Sequence, residues 1–341
     1  MNIDEQKKLV EEITTGKRKY LNMTDKFKFE CTSCGKCCFD NEVVVNLYDL
    51  IRLRHALKET TQEILKKEYL NFYLGPSSGL PILAINFKKL NNEGTVTRCP
   101  FLVPALNLSD VPLKLKEIAG GDKDKLKELI EKYKTNSNEL SELLKKVKVE
   151  KWLCRVHNDR PIICKLYPCG RLQEIDKDTK EVRENFILQD DEGTKDFCPG
   201  FRAKKETDLA DFLATQDFWH SKEGSDMFTL ILRQLMSSGF FVETPDNKNG
   251  KEKPMFKKNS KIMMFLGNLL YNFDSFNTFS QDSRVKKTIY SDDVTQDDFL
   301  YVENKVFDAV KKFTNMFKDR NTAELDFQQF MNSLAKEGEI N

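Results

Sequence analysis

The stretch Phe29-Glu30-Cys31-Thr32-Ser33-Cys34-Gly35-Lys36-Cys37-Cys38 decides how the rest of this chain is read. A C-x2-C spacing lets two thiolates close on one ion across a tight turn. Gly35 follows the second cysteine and takes positive φ without steric cost, so N–H groups of the turn can point at sulfur. C-x2-C-x2-C is also the half-motif with which bacterial ferredoxins hold iron and sulfide, with a fourth cysteine that precedes a proline. No Cys-Pro follows at once here. Cys99-Pro100 and Cys198-Pro199 offer that step from further along the chain. Side chains of the vicinal pair Cys37-Cys38 tend to diverge, so either the two serve different centres or one is a bystander.

Working outward, the 341 residues contain nine cysteines, and they are clustered. Four form the run just quoted. Cys154, Cys164, Cys169 and Cys198 lie later, with Cys99 between. An odd number cannot pair fully within one chain, and small buried hydrophobes would not cluster so. The opening MNIDEQKKLVEE lacks a basic-then-apolar stretch, which leads us to expect the reducing cytoplasm, where structural disulfides are rare. Lys+Arg total 55 against 54 for Asp+Glu, a net charge of +1, so the electrostatic case for nucleic acid as main partner falls away. No apolar run approaches the ~18 residues of a membrane helix. Thiolate ligation of metal is the reading that remains.

The expected fold is α+β and helix-dominated. An N-terminal segment 1–26 carries a charged helix over 3–20. A metal-organised cysteine-cluster domain spans 27–202, with small β-hairpins and a helical insertion at 105–151, rich in Lys, Glu and Leu. A C-terminal helical region covers 203–341. Val43–Val45 reads as a strand and Leu47–Lys58 as a helix. Thr60-x-x-Glu63 is a capping-box pattern that opens a second helix, expected to run through Tyr73. Leu80–Phe87 and Thr95–Leu102 read as one hairpin, and Leu172–Ile175 with Val182–Leu188 as another. Helices are expected over 207–218, 225–238, 260–272, 297–318 and 322–336, with a loop over 243–260. In the fourth, Phe299, Val302, Val306, Val310, Phe313 and Phe317 form one apolar stripe.

Taken together, the cysteine blocks resemble the YkgJ-type cysteine-cluster family, described as zinc- or iron-chelating CxxCxxCC proteins. The resemblance rests on Phe29 with CTSCGKCC at 31–38, LYDLIRL at 47–53, CPFL at 99–102, CRVHNDRPIICKLYP at 154–168 and CPGF at 198–201. It covers about residues 27–202 and leaves 203–341 outside. The insertion at 105–151 departs from the pattern, as do His157 at a position that tends to be Tyr and the additional Cys169. The resemblance implies Cys31, Cys34, Cys37, Cys38, Cys99, Cys154, Cys164 and Cys198 as metal ligands. Eight thiolates suffice for two four-ligand centres, of which the first run supplies most of one and Cys154, Cys164 and Cys198 with a vicinal cysteine most of the other. The metal is expected to be iron in an iron–sulfur cluster, 4Fe-4S by the motif, with zinc as the alternative.

Arg160, in the same family block, is a candidate to offset the negative charge of such a cluster, to clamp a substrate carboxylate, or to bond backbone carbonyls ahead of a rigid proline. His157 stands at a C-x2-H spacing from Cys154, while His55 and His220 read as ordinary helix histidines. Asp49 reads as a capping or surface residue. Three functions follow: a metal-binding cysteine-cluster protein; a cluster-assisted enzyme such as a protein-lysine N-methylase, acting on a protein substrate; or a structural zinc protein that presents its helical half to a protein partner. The enzyme reading is weakened by the absence of a Gly-rich phosphate loop, a nucleophile elbow or a methyltransferase-type G-x-G.

Overall fold

The computed structural model describes residues 20–32, 34–74, 80–89, 96–104, 119–135, 152–175, 182–190, 192–235 and 260–316. Among the described residues the fold is α+β, with small sheets and a majority of helix. The chain divides into two compact units whose segments interleave. One comprises Met1–Glu42, Asn86–His157 and Tyr167–Phe212; the other comprises Val43–Ile85, Asn158–Leu166 and Leu213–Asn341. This division does not follow linear boundaries at 27–202 and 203–341, because the segments Val43–Ile85 and Asn158–Leu166 cluster with the C-terminal helices.

The first unit is built from short antiparallel pairs. Cys169–Ile175 pairs with Val182–Leu188 in the register Arg171↔Phe186, and Tyr20–Leu21 extends the same sheet. The expected second hairpin is therefore present, longer by three residues at its start. Lys26–Lys28 pairs with Glu206–Asp208; its alternation of exposed Lys26, buried Phe27 and exposed Lys28 is the period of two that a half-buried strand requires. Lys88–Lys89 pairs with Thr97–Arg98, and Leu102–Pro104 with Trp152–Cys154. Between these pairs lies an aromatic core. Phe29 meets Phe201, Tyr167 and Phe212 edge-on at ring-centroid distances of 5.4, 5.9 and 6.1 Å.

The second unit packs helices on a three-stranded sheet ordered Val44–Val45, Pro81–Ile85, Leu70–Leu74. Two expectations are corrected here. Pro81–Ile85 does not pair with the Cys99 arm; its two edges pair instead with Val44–Val45 and Leu70–Leu74. The helix opened by Thr60 ends at Lys66, and Leu70–Leu74 is a strand. Positive φ at Glu68 turns the chain between them.

The N-terminal ends are as the sequence suggests. The Thr60 side chain accepts from the Glu63 N–H while Glu63 accepts from the Thr60 N–H, and Asn46 and Asp49 do the same for the Leu47–Leu57 helix. Helices Leu209–Thr215, Phe218–Leu235, Ser260–Tyr271 and Gln296–Met316 occupy expected regions. Asn277–Ser280 and Ser283–Tyr290 are additional. Phe299, Val302, Val306, Val310 and Phe313 are all buried, so the stripe is core as far as Phe313. The expected helices over 3–20 and 322–336 and the loop over 243–260 lie outside the described residues, except that Ser260 opens a helix; of the insertion, only the Lys123–Thr135 helix and a few residues ahead of it are described. Among the described residues no helix is long and apolar enough to cross a membrane.

Candidate metal centre

The cysteine run folds as its spacing requires. Gly35 sits at φ 71° and caps a turn of 3-10 helix over Lys36–Cys38, closed by the Cys38 N–H donating to the Gly35 carbonyl at 2.9 Å. Only glycine fits here. A Cβ on residue 35 would lie 2.7 Å from Cβ of Trp152, on the strand that ends in Cys154. The turn is tied at both ends to other cysteine blocks. Upstream, the Glu30 N–H donates to the Gly200 carbonyl at 3.0 Å, and Gly200 is itself pressed against Phe29, where a Cβ would stand 2.7 Å from the ring. Downstream, the Cys99 N–H donates to the Cys38 carbonyl at 2.8 Å, and Phe39 bridges Arg98. Phe101 then accepts from the Arg155 N–H, and Leu102 lies opposite Cys154.

Burial first, then a side-chain hydrogen bond with Cys198 and the charges of Cys198, Cys37 and Cys34, push the Tyr167 hydroxyl well above the ordinary phenol range. Cys99 and Cys154 interact electrostatically. Burial pushes the Cys99 thiol up to about 12, opposed by the N–H groups of Phe101 and Leu102 and by the Arg98 guanidinium. Cys31 is exposed in the same unit.

Arg98 has buried polar atoms without a partner, and nothing in the motif spacing marks it. It is 4% exposed, and Nε and Nη1 have no hydrogen-bond partner among the described residues. Its Cζ lies 5.3 Å from the Trp152 ring. A cation–π contact of roughly 0.5–2 kcal/mol falls short of the several kcal/mol that removing a guanidinium from water costs.

All nine cysteines are outside disulfides. Among the described residues, no group of three or more His, Cys, Asp or Glu side chains is disposed to hold a metal ion. Thiolate sulfur is a donor that zinc and iron both accept, and backbone hydrogen bonds tie together the segments that carry Cys38, Cys99, Cys154 and Cys198. Cys169 behaves differently. It is buried in its strand opposite Leu188, and burial alone pushes its thiol up to about 12.

The remaining sequence candidates lie in the second unit, apart from His157, which is exposed on the 3-10 turn His157–Asp159. Cys164 is on the short helix Ile162–Leu166, and Arg160 just before it donates to the Gln216 side chain at 2.5 Å. Asp49, expected to cap or lie at the surface, does cap its helix but is buried. Its other oxygen accepts from the Ile162 N–H at 2.9 Å, so it joins the LYDLIRL block to the Arg-Pro block. Burial raises its pKa to about 6, against the N–H groups of Ile162 and Asn46 and the charges of Lys165 and Arg52. Arg52 pairs with Asp159 at 2.6 Å, and buried Lys165 with Asp217 at 2.8 Å. His55 meets the Phe299 ring edge-on, and His220 pairs with Asp217. An open cavity of about 400 Å3 lined by Thr278, Phe279, Tyr301 and Lys305 carries none of the candidate residues.

No family model matches the chain, and no curated protein and no solved structure matches it.

Proposed function

We propose that this is a metal-binding cysteine-cluster protein of the kind the YkgJ-type resemblance implies, holding an iron–sulfur cluster through cysteine thiolates in a reducing, cytoplasmic setting. One observation carries the reading. The 31–38 run is tied by backbone hydrogen bonds to the Cys99-Pro100 and Cys198-Pro199 blocks, and the Cys99 block is tied in turn to Cys154 and Arg155. Cysteines scattered as small hydrophobes have no reason to lie on segments linked in this way.

In this reading Cys34, Cys37 and Cys198, with Cys31 beside them in the chain, serve one centre. Cys99, Cys154 and Cys38 serve the other. When bound, iron and sulfide supply electron transfer or an electrophilic iron. The protein's part is to hold the thiolates, to turn the Tyr167 hydroxyl toward sulfur, and to exclude water with Phe29, Phe101 and Phe201. The helices of the second unit are the surface for a protein partner or protein substrate.

The test is anaerobic purification followed by analysis for iron and acid-labile sulfide and an absorption spectrum. Brown protein with iron and sulfide in stoichiometric amounts is expected. Stoichiometric zinc without sulfide replaces the iron–sulfur reading with the structural zinc one. Protein that retains neither metal after anaerobic purification and reconstitution defeats both.

A further inference from the structure

The Gln296–Met316 helix carries a second stripe beside its apolar one. Tyr301, Lys305, Asp308 and Lys312 recur at helical spacing and so share a face. With the short helix Asn277–Ser280, that face walls the open cavity of about 400 Å3. The volume is in the range of pockets that take small molecules. Ala309, buried and carrying only a methyl group, leaves the room, and Phe279 supplies an aromatic wall. The charges at the cavity are unequally spent. Lys305 Nζ lies 2.5 Å from Asp282 Oδ2, and the Tyr301 hydroxyl donates to the same oxygen at 2.8 Å. Asp308 pairs with Lys311 at 3.5 Å or less, with Nζ 3.3 Å from Oδ1. Lys312 is exposed, and its ammonium has no partner among the described residues. An apolar wall therefore stands beside one uncompensated positive charge.

We propose that this cavity binds a small ring-bearing carboxylate, with the ring against Phe279 and Ala309 and the carboxylate at Lys312. A ring gains from the aromatic side chains Phe279 and Tyr301 what an aliphatic body of the same size does not. An amine finds no such site, because the carboxylates of Asp282 and Asp308 are already paired within the protein. The inference goes beyond the metal-binding reading and does not depend on it. Its residues lie on two helices of the second unit, and none is a cysteine. Lys312 is exposed, so its attraction for an anion is modest and weakens as salt is added.

The experiment uses the full chain at low ionic strength with para-fluorophenylacetate as the probe, followed by the width and shift of its fluorine NMR line. Saturable binding with a dissociation constant of about 1 mM is expected. The uncharged para-fluorophenylacetamide is expected to bind more weakly, and acetate, which lacks the ring, to leave the probe in place. Lys312→Glu is expected to weaken binding about fivefold, and Lys312→Arg to stay within about twofold of the parent. Lys66→Glu makes the same change of net charge at an exposed residue outside the cavity and is expected to match the parent. Ala309→Leu, which fills the cavity, is expected to abolish binding, with its melting temperature read alongside. Should that variant fail to fold, the exposed Lys312→Glu decides. A parent chain that does not bind the probe overturns the proposal. So does parent-like binding by Lys312→Glu or by folded Ala309→Leu, and so does tighter binding of para-fluorobenzylamine than of the acid.

Discussion

A methyl group on residue 35 has nowhere to go: φ there is 71°, and the Trp152 Cβ stands in its path. Gly35→Ala is therefore expected to cost about 2 kcal/mol, from left-handed strain and the shift of Trp152 together. The denaturant midpoint reads the cost, and metal per chain is expected to fall with it because Trp152 leads into Cys154. A midpoint within error of the parent's contradicts the prediction. The cysteines separate at the same scale. Cys169→Ser is expected to keep its metal, since that thiol is packed in a strand, whereas Cys154→Ser is expected to lose part of it. Equal loss in the two purified variants places Cys169 among the ligands. Asp49 gives a pH dependence with a definite sign. Its carboxyl, ordinarily at 3.8, is raised to about 6 by burial, so the folded chain holds a proton that the unfolded chain releases. This contribution is fully present below the ordinary value, falls as pH rises to about 6, and is flat beyond. Urea midpoints measured between about pH 4 and about pH 6 should fall less steeply in Asp49→Asn than in the parent; parallel slopes refute the assignment.

At the scale of the element, the Gln296–Met316 helix contains one residue that its own pattern does not favour. Glu303 lies four residues after Phe299 and three before Val306, and so sits on the apolar stripe. It is fully buried, both carboxyl oxygens lack a partner, and burial, with Asp49 and Glu223 nearby, raises its pKa well above the carboxylate range. An acid in that position is kept neutral and still wastes its hydrogen bonds. Glu303→Leu is expected to stabilise the chain by about 1–3 kcal/mol, read as a higher melting temperature. A destabilised variant means that the carboxyl has a role that its surroundings do not reveal. The Leu47–Leu57 helix shows the opposite case. Asp49 is buried there too, but it caps the helix and holds Ile162, so its polar atoms are used.

For the whole molecule, the two units are stabilised by different means. The first has short strands and few long helices, and its segments are tied near the thiols. The second has a helical core of buried Leu, Val and Phe. Chelation of metal under reducing conditions is expected to raise hydrogen exchange across 20–42, 96–104, 152–157 and 167–212, because metal-binding free energy is also folding free energy. Exchange in Gln296–Met316 should change little, since its protection comes from apolar packing. A uniform rise along the chain contradicts this division.

Local chemistry was legible in the sequence by itself. Gly35 had to follow Cys34 in a turn, Thr60 and Glu63 had to cap a helix, and Phe299 to Phe313 had to form a core stripe, because each depends on residues within a few positions of one another. The hairpin of Cys169–Ile175 and Val182–Leu188 was legible for the same reason. What only the tertiary structure decided depends on distant partners. Pro81–Ile85 looks the same in sequence whether it pairs with Leu70–Leu74 or with the Cys99 arm, and register follows the face that becomes buried. The tie between the Cys99 N–H and the Cys38 carbonyl joins segments that lie far apart in the chain. Arg98 and Glu303 read as ordinary charges until other segments close over them, since burial is a property of the surroundings and not of the residue.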